Sequence, residues 1–198
     1  DRRPTDWERN VARLETAEGI TADMAIRRDA LEELGGFDER FRRAYREDTD
    51  LMIRMRSKAH RLANGRRTVL HPVRPASRWI SVSMQRGNAD DALMYALHGR
   101  SWADGGRWSL GTRRAHIATT VAGLVAVAAV GARARRLAAV AGGAWAVATG
   151  ALAWKRIRPG PRDPDEITTM IVTSAAIPPA ATYWWVVGLV RRRGSSSR

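Results

Sequence analysis

Hydrophobic positions along this chain fall into two regimes: sparse and periodic up to about residue 98, almost continuous from Ala115 onward. In the first regime Trp7, Val11 and Leu14 follow Thr5-Asp6-Trp7-Glu8 at helical spacing, and the Thr/Glu pair reads as a capping box, so a short amphipathic helix is expected there. Residues 20–26, ITADMAI, alternate strictly, with Ile20, Ala22, Met24 and Ile26 on one side, the pattern of a half-buried strand. DALEELGGF offers Asp29 and Glu32 as a second capping box, Leu31 and Leu34 as an inner face and Gly35-Gly36 as the stop. A polar loop follows, with Phe37, Phe41 and Tyr45 spaced to pin it to a core. From Glu47 the pattern predicts a helix of roughly three turns with Leu51, Met52 and Met55 inward. RRTVLHPVRP, 66–75, reads as a short strand closed by prolines, and 83–98 as a helix with Leu93, Met94 and Leu97 inward after a break at Gly87-Asn88.

The second regime has another meaning. Segments 115–132 and 137–154 contain no Asp, Glu, Lys or Arg, and 167–190 is uncharged over a longer run. Eighteen helical residues span about 27 Å, enough to cross a bilayer core. The flanks RARR, WKRIR and YWW…RRR are membrane-edge chemistry, which favours three transmembrane helices over buried Ala-rich helices of a soluble bundle. Pro178-Pro179 is expected to break or kink the third span. The organisation that follows is a polar domain over 1–98, a Gly- and Trp-rich interfacial linker over 99–114 and a membrane region over 115–198. Basic residues crowd every flank, so a positive-inside count does not orient the spans.

Composition adjusts this picture in three places. Mean hydropathy of −0.36 describes neither half, because it averages a charged one with an apolar one. The formal charge of +14 rests on 34 basic residues, of which only Lys58 and Lys155 are lysine. That Arg bias beside abundant Ala and Gly is the signature of a GC-rich genome. The chain also lacks aromatic-studded basic strands or a recognition helix, so nucleic acid is not expected as a partner. Absence of Cys excludes disulfides and thiolate chemistry, and His60, His71, His98 and His116 lack zinc-ligand spacing. A start at Asp1 without Met or signal peptide points to a mid-protein beginning.

The densest chemistry is AYREDTDLMIRM, where Glu47, Asp48 and Asp50 fall within four positions. Three readings compete for it. Carboxylates favour the first turn of a helix, where unpaired N–H groups and the helix dipole receive them. Asp48-Thr49-Asp50 is also a D-x-D, the arrangement by which two carboxylates hold Mg²⁺ or Mn²⁺, although no apolar strand precedes it. Third, mutually repelling acids at a helix start can keep a carboxylate ionised yet able to take a proton.

The third reading draws on more of the chain. TADMAIRRDALEELGGFDERFRRAYREDTDLMIRM, 21–55, followed by HPVRP, resembles the second half of the GT-A catalytic domain of family 2 glycosyltransferases, through Arg27, Arg28, Gly35-Gly36-Phe37-Asp38-Glu39, Phe41, Glu47, Asp48, Asp50, Leu51 and Arg54. The resemblance covers 20–75 well and 76–98 loosely, and implies an α/β fold, the second half of a GT-A domain followed by transmembrane helices. It implies Asp48 as general base, deprotonating an acceptor hydroxyl that attacks a nucleotide-activated sugar with inversion. Glu47, Gly35, Gly36 and Asp23 would meet the acceptor, with Asp50 capping its helix; Asp23 departs from the Asn frequent in the family. His71 and Arg86 are candidates for the donor diphosphate or a metal. A divalent cation, Mg²⁺ or Mn²⁺, would be held mainly by a nucleotide-binding half that has no counterpart here. Gln85 survives from a Gln-x-x-Arg-Trp pattern without its Arg-Trp, against processive polymerisation. The implied partners are a nucleotide sugar, a saccharide or polyprenyl-linked acceptor and a lipid bilayer. The implied setting is a bacterial cell membrane, multi-pass, with the catalytic part cytoplasmic and a cell-envelope product. The alternative is a non-catalytic, basic, membrane-anchored adaptor docked on anionic headgroups.

Overall fold

The computed structural model describes residues 2–17, 19–99, 102 and 110–195. Helix accounts for 69% of the chain, and no strand occurs among the described residues, so the expected α/β fold is wrong. The two expected strands show why. After a 3₁₀ turn at Thr21–Asp23 the chain is extended at Met24 (φ −119°, ψ 134°) and Arg27 (φ −63°, ψ 137°), yet no second strand lies beside it to take its N–H and C=O groups. Segment 66–75 is likewise exposed and without a ladder. Alternation reports an extended, one-sided segment, and a sheet needs a partner as well.

The local punctuation of the first half is as expected in most places. Helix α1 (Asp6–Ala12) starts with a complete capping box: Thr5 Oγ1 accepts from Glu8 N at 3.2 Å, and Thr5 N donates to Glu8 at 2.7 Å. Helix α2 (Arg28–Glu33) ends in a Schellman motif, with Gly36 N donating to Leu31 O at 2.9 Å and Gly35 N to Glu32 O at 3.0 Å. Both glycines sit at positive φ, 70° and 75°, which a side chain would strain. The expected Asp29–Glu32 capping box does not form, because Asp29 is turned toward Arg27 and the Ala30 N–H.

Helix α3 (Glu47–Ser57) carries the acid cluster in its first turn. Phe41 is buried with Met94 and Trp102, and Tyr45 packs so closely on Gly87 that a Cβ there would meet its ring at 2.6 Å; Phe37 faces outward. Within 83–98 the helix with the expected inward face is α5 (Asn88–His98), which starts at the expected Gly87-Asn88 break and follows α4 (Ile80–Ser83) and a 3₁₀ turn at Met84–Gly87; Met94 is inward, with Leu93 and Leu97 packed beside it.

Three long helices follow: α6 (Leu110–Gly131), α7 (Arg135–Ile157) and α8 (Pro164–Ser195). Each is long and apolar enough to cross a membrane, over Thr112–Gly131, Arg135–Ile157 and Pro164–Arg191. Only 11% of the apolar window of α6 and of α7 is buried, and Val127, Val140 and Val147 are more than 70% exposed. Helices at a water surface keep a polar outer face; these present valine on it, which fits lipid. Small residues bring them together: a Cβ at Gly123 would meet Trp145 at 2.9 Å, and the hydroxyls of Thr120 and Thr182 lie 3.1 Å apart. Of the expected break or kink at Pro178-Pro179 the break does not occur, because α8 continues through the pair; Pro178 is fully buried, and its carbonyl accepts from Thr182 Oγ1 at 2.9 Å. The α4–α5 arm packs along one flank of α8, which is why 33% of that span is buried. The expected linker, 99–114, falls largely outside the described residues.

Candidate functional site

One guanidinium assembles residues that lie far apart in the sequence. Arg54 on α3 donates from Nε to Asp50 Oδ2 at 2.8 Å, from Nη1 to Leu34 O at 2.9 Å and from Nη2 to Gly36 O at 2.8 Å. The Gly35-Gly36 turn is thereby clamped to the helix bearing the three acids. Asp50 is only 1% exposed and bonds with its other oxygen to His98 Nε2 at 2.7 Å, joining α3 to the end of α5. The expectation that Asp50 caps α3 is therefore wrong, and so is a D-x-D metal pair: both Asp50 oxygens are spent inside the fold. Among the described residues no three His, Asp or Glu side chains gather as metal ligands.

The other two acids are differently placed. Asp48 is half-buried; Oδ1 accepts from Thr49 N at 2.7 Å and Thr49 Oγ1 at 3.3 Å, while Oδ2 receives no hydrogen bond among the described residues. Glu47 Oε2 is buried and has no hydrogen-bond partner among them. Burial raises the Glu47 pKa, and neighbouring Asp48 adds to the rise. Facing this turn, α5 contributes Asp90, whose Oδ2 lies 3.8 Å from Arg43 Nε, too far for a hydrogen bond. Burial pushes Asp90 up to about 6; Arg43 opposes this, and Asp91 and Glu47 reinforce it. Arg46, in the left-handed conformation at φ 75° and 6% exposed, bonds Asp91 at 2.7 Å and stacks on Tyr45 and Trp102, 4.6 and 5.3 Å from their ring centres. Tyr45 is pushed up to about 12 by that burial and by Asp91. At the first turn of α3, Glu47 and, facing it from α5, Asp90 are thus two desolvated carboxylates, each with a vacant acceptor oxygen, beside Asp48.

The remaining expected residues are elsewhere. Asp23 forms an ion pair with Arg67 on the wall of a cavity of about 1190 Å³ between α2, α3 and residues 14–17, 19–27 and 60–65. Arg86 lies over Trp184, 5.7 Å from its ring centre, and His71 is exposed on the irregular 66–75 segment. Asp48 lines neither that cavity nor a smaller one near α1. Sequence reasoning missed Arg46, Asp90, Asp91 and His98. The doublet Asp90-Asp91 in a helix otherwise apolar on one face was the available signal; nothing local marks His98, whose partner lies 48 positions away. Comparison with protein-family models, characterised proteins and solved structures finds no match to this chain.

Proposed function

We propose that this chain is the acceptor-handling, membrane-anchored part of a glycosyltransferase, with the carboxylate of Asp48 as the proton acceptor. The observation that carries the reading is the Arg54 clamp. The Gly-Gly turn, Asp50 and Arg54, which the ordered motif set picks out from residues 35–54, sit in one hydrogen-bonded cluster on the helix whose first turn carries Glu47 and Asp48. Glu47, which the resemblance gives the role of orienting the acceptor, stands next to Asp48 with Oε2 buried and without a donor among the described residues. The vacant Oδ2 of Asp48 then takes the proton as the acceptor hydroxyl attacks the anomeric carbon and the nucleoside diphosphate leaves, inverting the centre. Setting such an edge on three apolar helices favours a lipid-linked or envelope saccharide as acceptor and a cell membrane as the setting. A nucleotide sugar as donor puts the reacting face in the cytoplasm. When bound, a divalent cation would neutralise the leaving diphosphate; its ligands are not assigned to residues described here.

The test uses the natural polypeptide that carries this sequence, reconstituted in nanodiscs with radiolabelled nucleotide sugars and saccharide or polyprenyl-phosphate acceptors. Wild type transfers label, and Asp48→Asn lowers the rate by about 100-fold or more, the usual contribution of a general base. Full turnover by Asp48→Asn removes Asp48 from the mechanism. Failure of wild type with every donor and acceptor removes the reading itself.

A further inference from the structure

At the end of the bundle where α7 finishes and α8 begins, a cavity of about 390 Å³ opens between α1, residues 73–81 and the first turns of α8. Its walls are tied together: Trp7 Nε1 donates to the Arg74 carbonyl at 2.8 Å, and Asp6 N donates to Glu166 Oε1 at 2.8 Å. It is remote from the acid cluster. The cavity touches α8 at Glu166, Thr169 and Met170, whereas α5 meets α8 at Trp185 and Gly188; Met170 to Trp185 is roughly 22 Å of helix.

The charges around the cavity are unequally matched. Three acids line it and all are engaged: Asp6 by Arg156 at 2.8 Å and Arg9 at 3.3 Å, Glu8 by Arg2 at 2.5 Å, and Glu166 by the Asp6 N–H. Two cations line it and neither is engaged. The side chains of Arg74 and Arg78 are exposed and make no ion pair or hydrogen bond among the described residues. Lys155, Arg158 and Arg162, also exposed, add positive charge at the same end of the bundle. Beside them the ends of α7 and α8 present apolar surface outward, with Trp154 65%, Ile171 52% and Val172 46% exposed.

A guanidinium binds phosphate oxygens through paired N–H donors and stays charged at any physiological pH. Two unpaired guanidiniums at the rim of apolar helices lie where a lipid's phosphate meets its acyl chains. We propose that this cavity binds the phosphate of an anionic phospholipid headgroup between Arg74 and Arg78, with the acyl chains along the apolar flank of α7 and α8. The Trp154–Ile171–Val172 surface is what favours a lipid over a free phosphate. This site depends on the bilayer and not on glycosyl transfer, so either proposal can fail alone.

Native mass spectrometry of the detergent-solubilised chain, titrated with short-chain phosphatidylglycerol, tests it. Wild type holds one lipid more tightly than the rest and prefers it to phosphatidylcholine of the same length. Arg74→Gln/Arg78→Gln weakens that lipid by about thirtyfold, two cations each worth about a factor of five near an anionic surface. Arg135→Gln/Arg136→Gln, at the other end of α7, leaves it unchanged, and circular dichroism checks that both variants fold. Equal loss in the two double variants would reduce the effect to general charge and overturn the site. Displacement by glycerol phosphate at the same concentration as lipid would overturn the lipid assignment, and an unchanged affinity in Arg74→Gln/Arg78→Gln would overturn both.

Discussion

Replacing Asp50 with Asn keeps the side-chain volume and removes the charge that two helices share. Asp50 is 1% exposed and bonds Arg54 at 2.8 Å and His98 at 2.7 Å, so the substitution leaves a guanidinium and an imidazole facing an amide that satisfies them only in part. Removing one partner from a buried ion pair costs about 3–5 kcal/mol. Arg54 keeps its bonds to Leu34 O and Gly36 O and has a side chain 24% exposed, which puts the cost at the lower end, about 3 kcal/mol. Each 1.4 kcal/mol is a factor of ten, so the slowest amides of α3 and α5 should exchange with deuterium about 100-fold faster, while those of α6 and α7 stay as they are. Hydrogen-exchange mass spectrometry at fixed pH reads this directly. Unchanged protection of α3 and α5 in Asp50→Asn would refute the claim that this carboxylate joins them.

Other expectations concern different joints of the molecule. Asp90 titrates near 6 in the fold against 3.8 for a free side chain, so its contribution to stability is lost as pH rises from about 4 through 6. Asp90→Asn should therefore raise stability at pH 7 by about 1–2 kcal/mol, less than the full linkage value because nearby solvent screens it, and should flatten the pH profile of thermal unfolding. Glu8 has the opposite sign: held down to about 2, first by Arg2 and then by the Thr5 N–H, it stabilises α1 above pH 4.5 and ceases to as pH falls through 2, which amide exchange in α1 would follow. Gly188→Ala puts a Cβ 2.5 Å from Ala89 O and 2.7 Å from the Ala92 Cβ; neither can swing aside, so α5 should lift from α8 at a cost of about 1–3 kcal/mol, seen as faster exchange in α5. Arg156→Met strips Asp6, Thr173, Ser174 and Ser81 of their shared donor and should expose residues 2–17 to limited proteolysis.

What was legible in the sequence was what a few neighbouring residues decide. Thr5 and Glu8 cap α1, Gly35-Gly36 closes α2, and three uncharged runs become three long helices, because capping, left-handed backbone and apolar length are local properties. The strands were misread for the converse reason. Ile20, Ala22, Met24 and Ile26 alternate, but pairing requires a second segment that their pattern does not contain. Asp50 illustrates the same limit in the site: position alone makes it a helix cap, and only the return of His98, 48 residues later, turns it inward. Pro178-Pro179, a break by local rules, is carried by the helices packed around it.

Both functional proposals stand on α6, α7 and α8 crossing a bilayer, and the chain has no cysteine, so single cysteines report without background. Arg133→Cys lies in the turn between α6 and α7, and Arg162→Cys in the turn between α7 and α8, both exposed. In sealed, oriented vesicles a membrane-impermeant maleimide should label one of them from outside and the other only after the membrane is opened. Labelling of both from the same side would contradict the account.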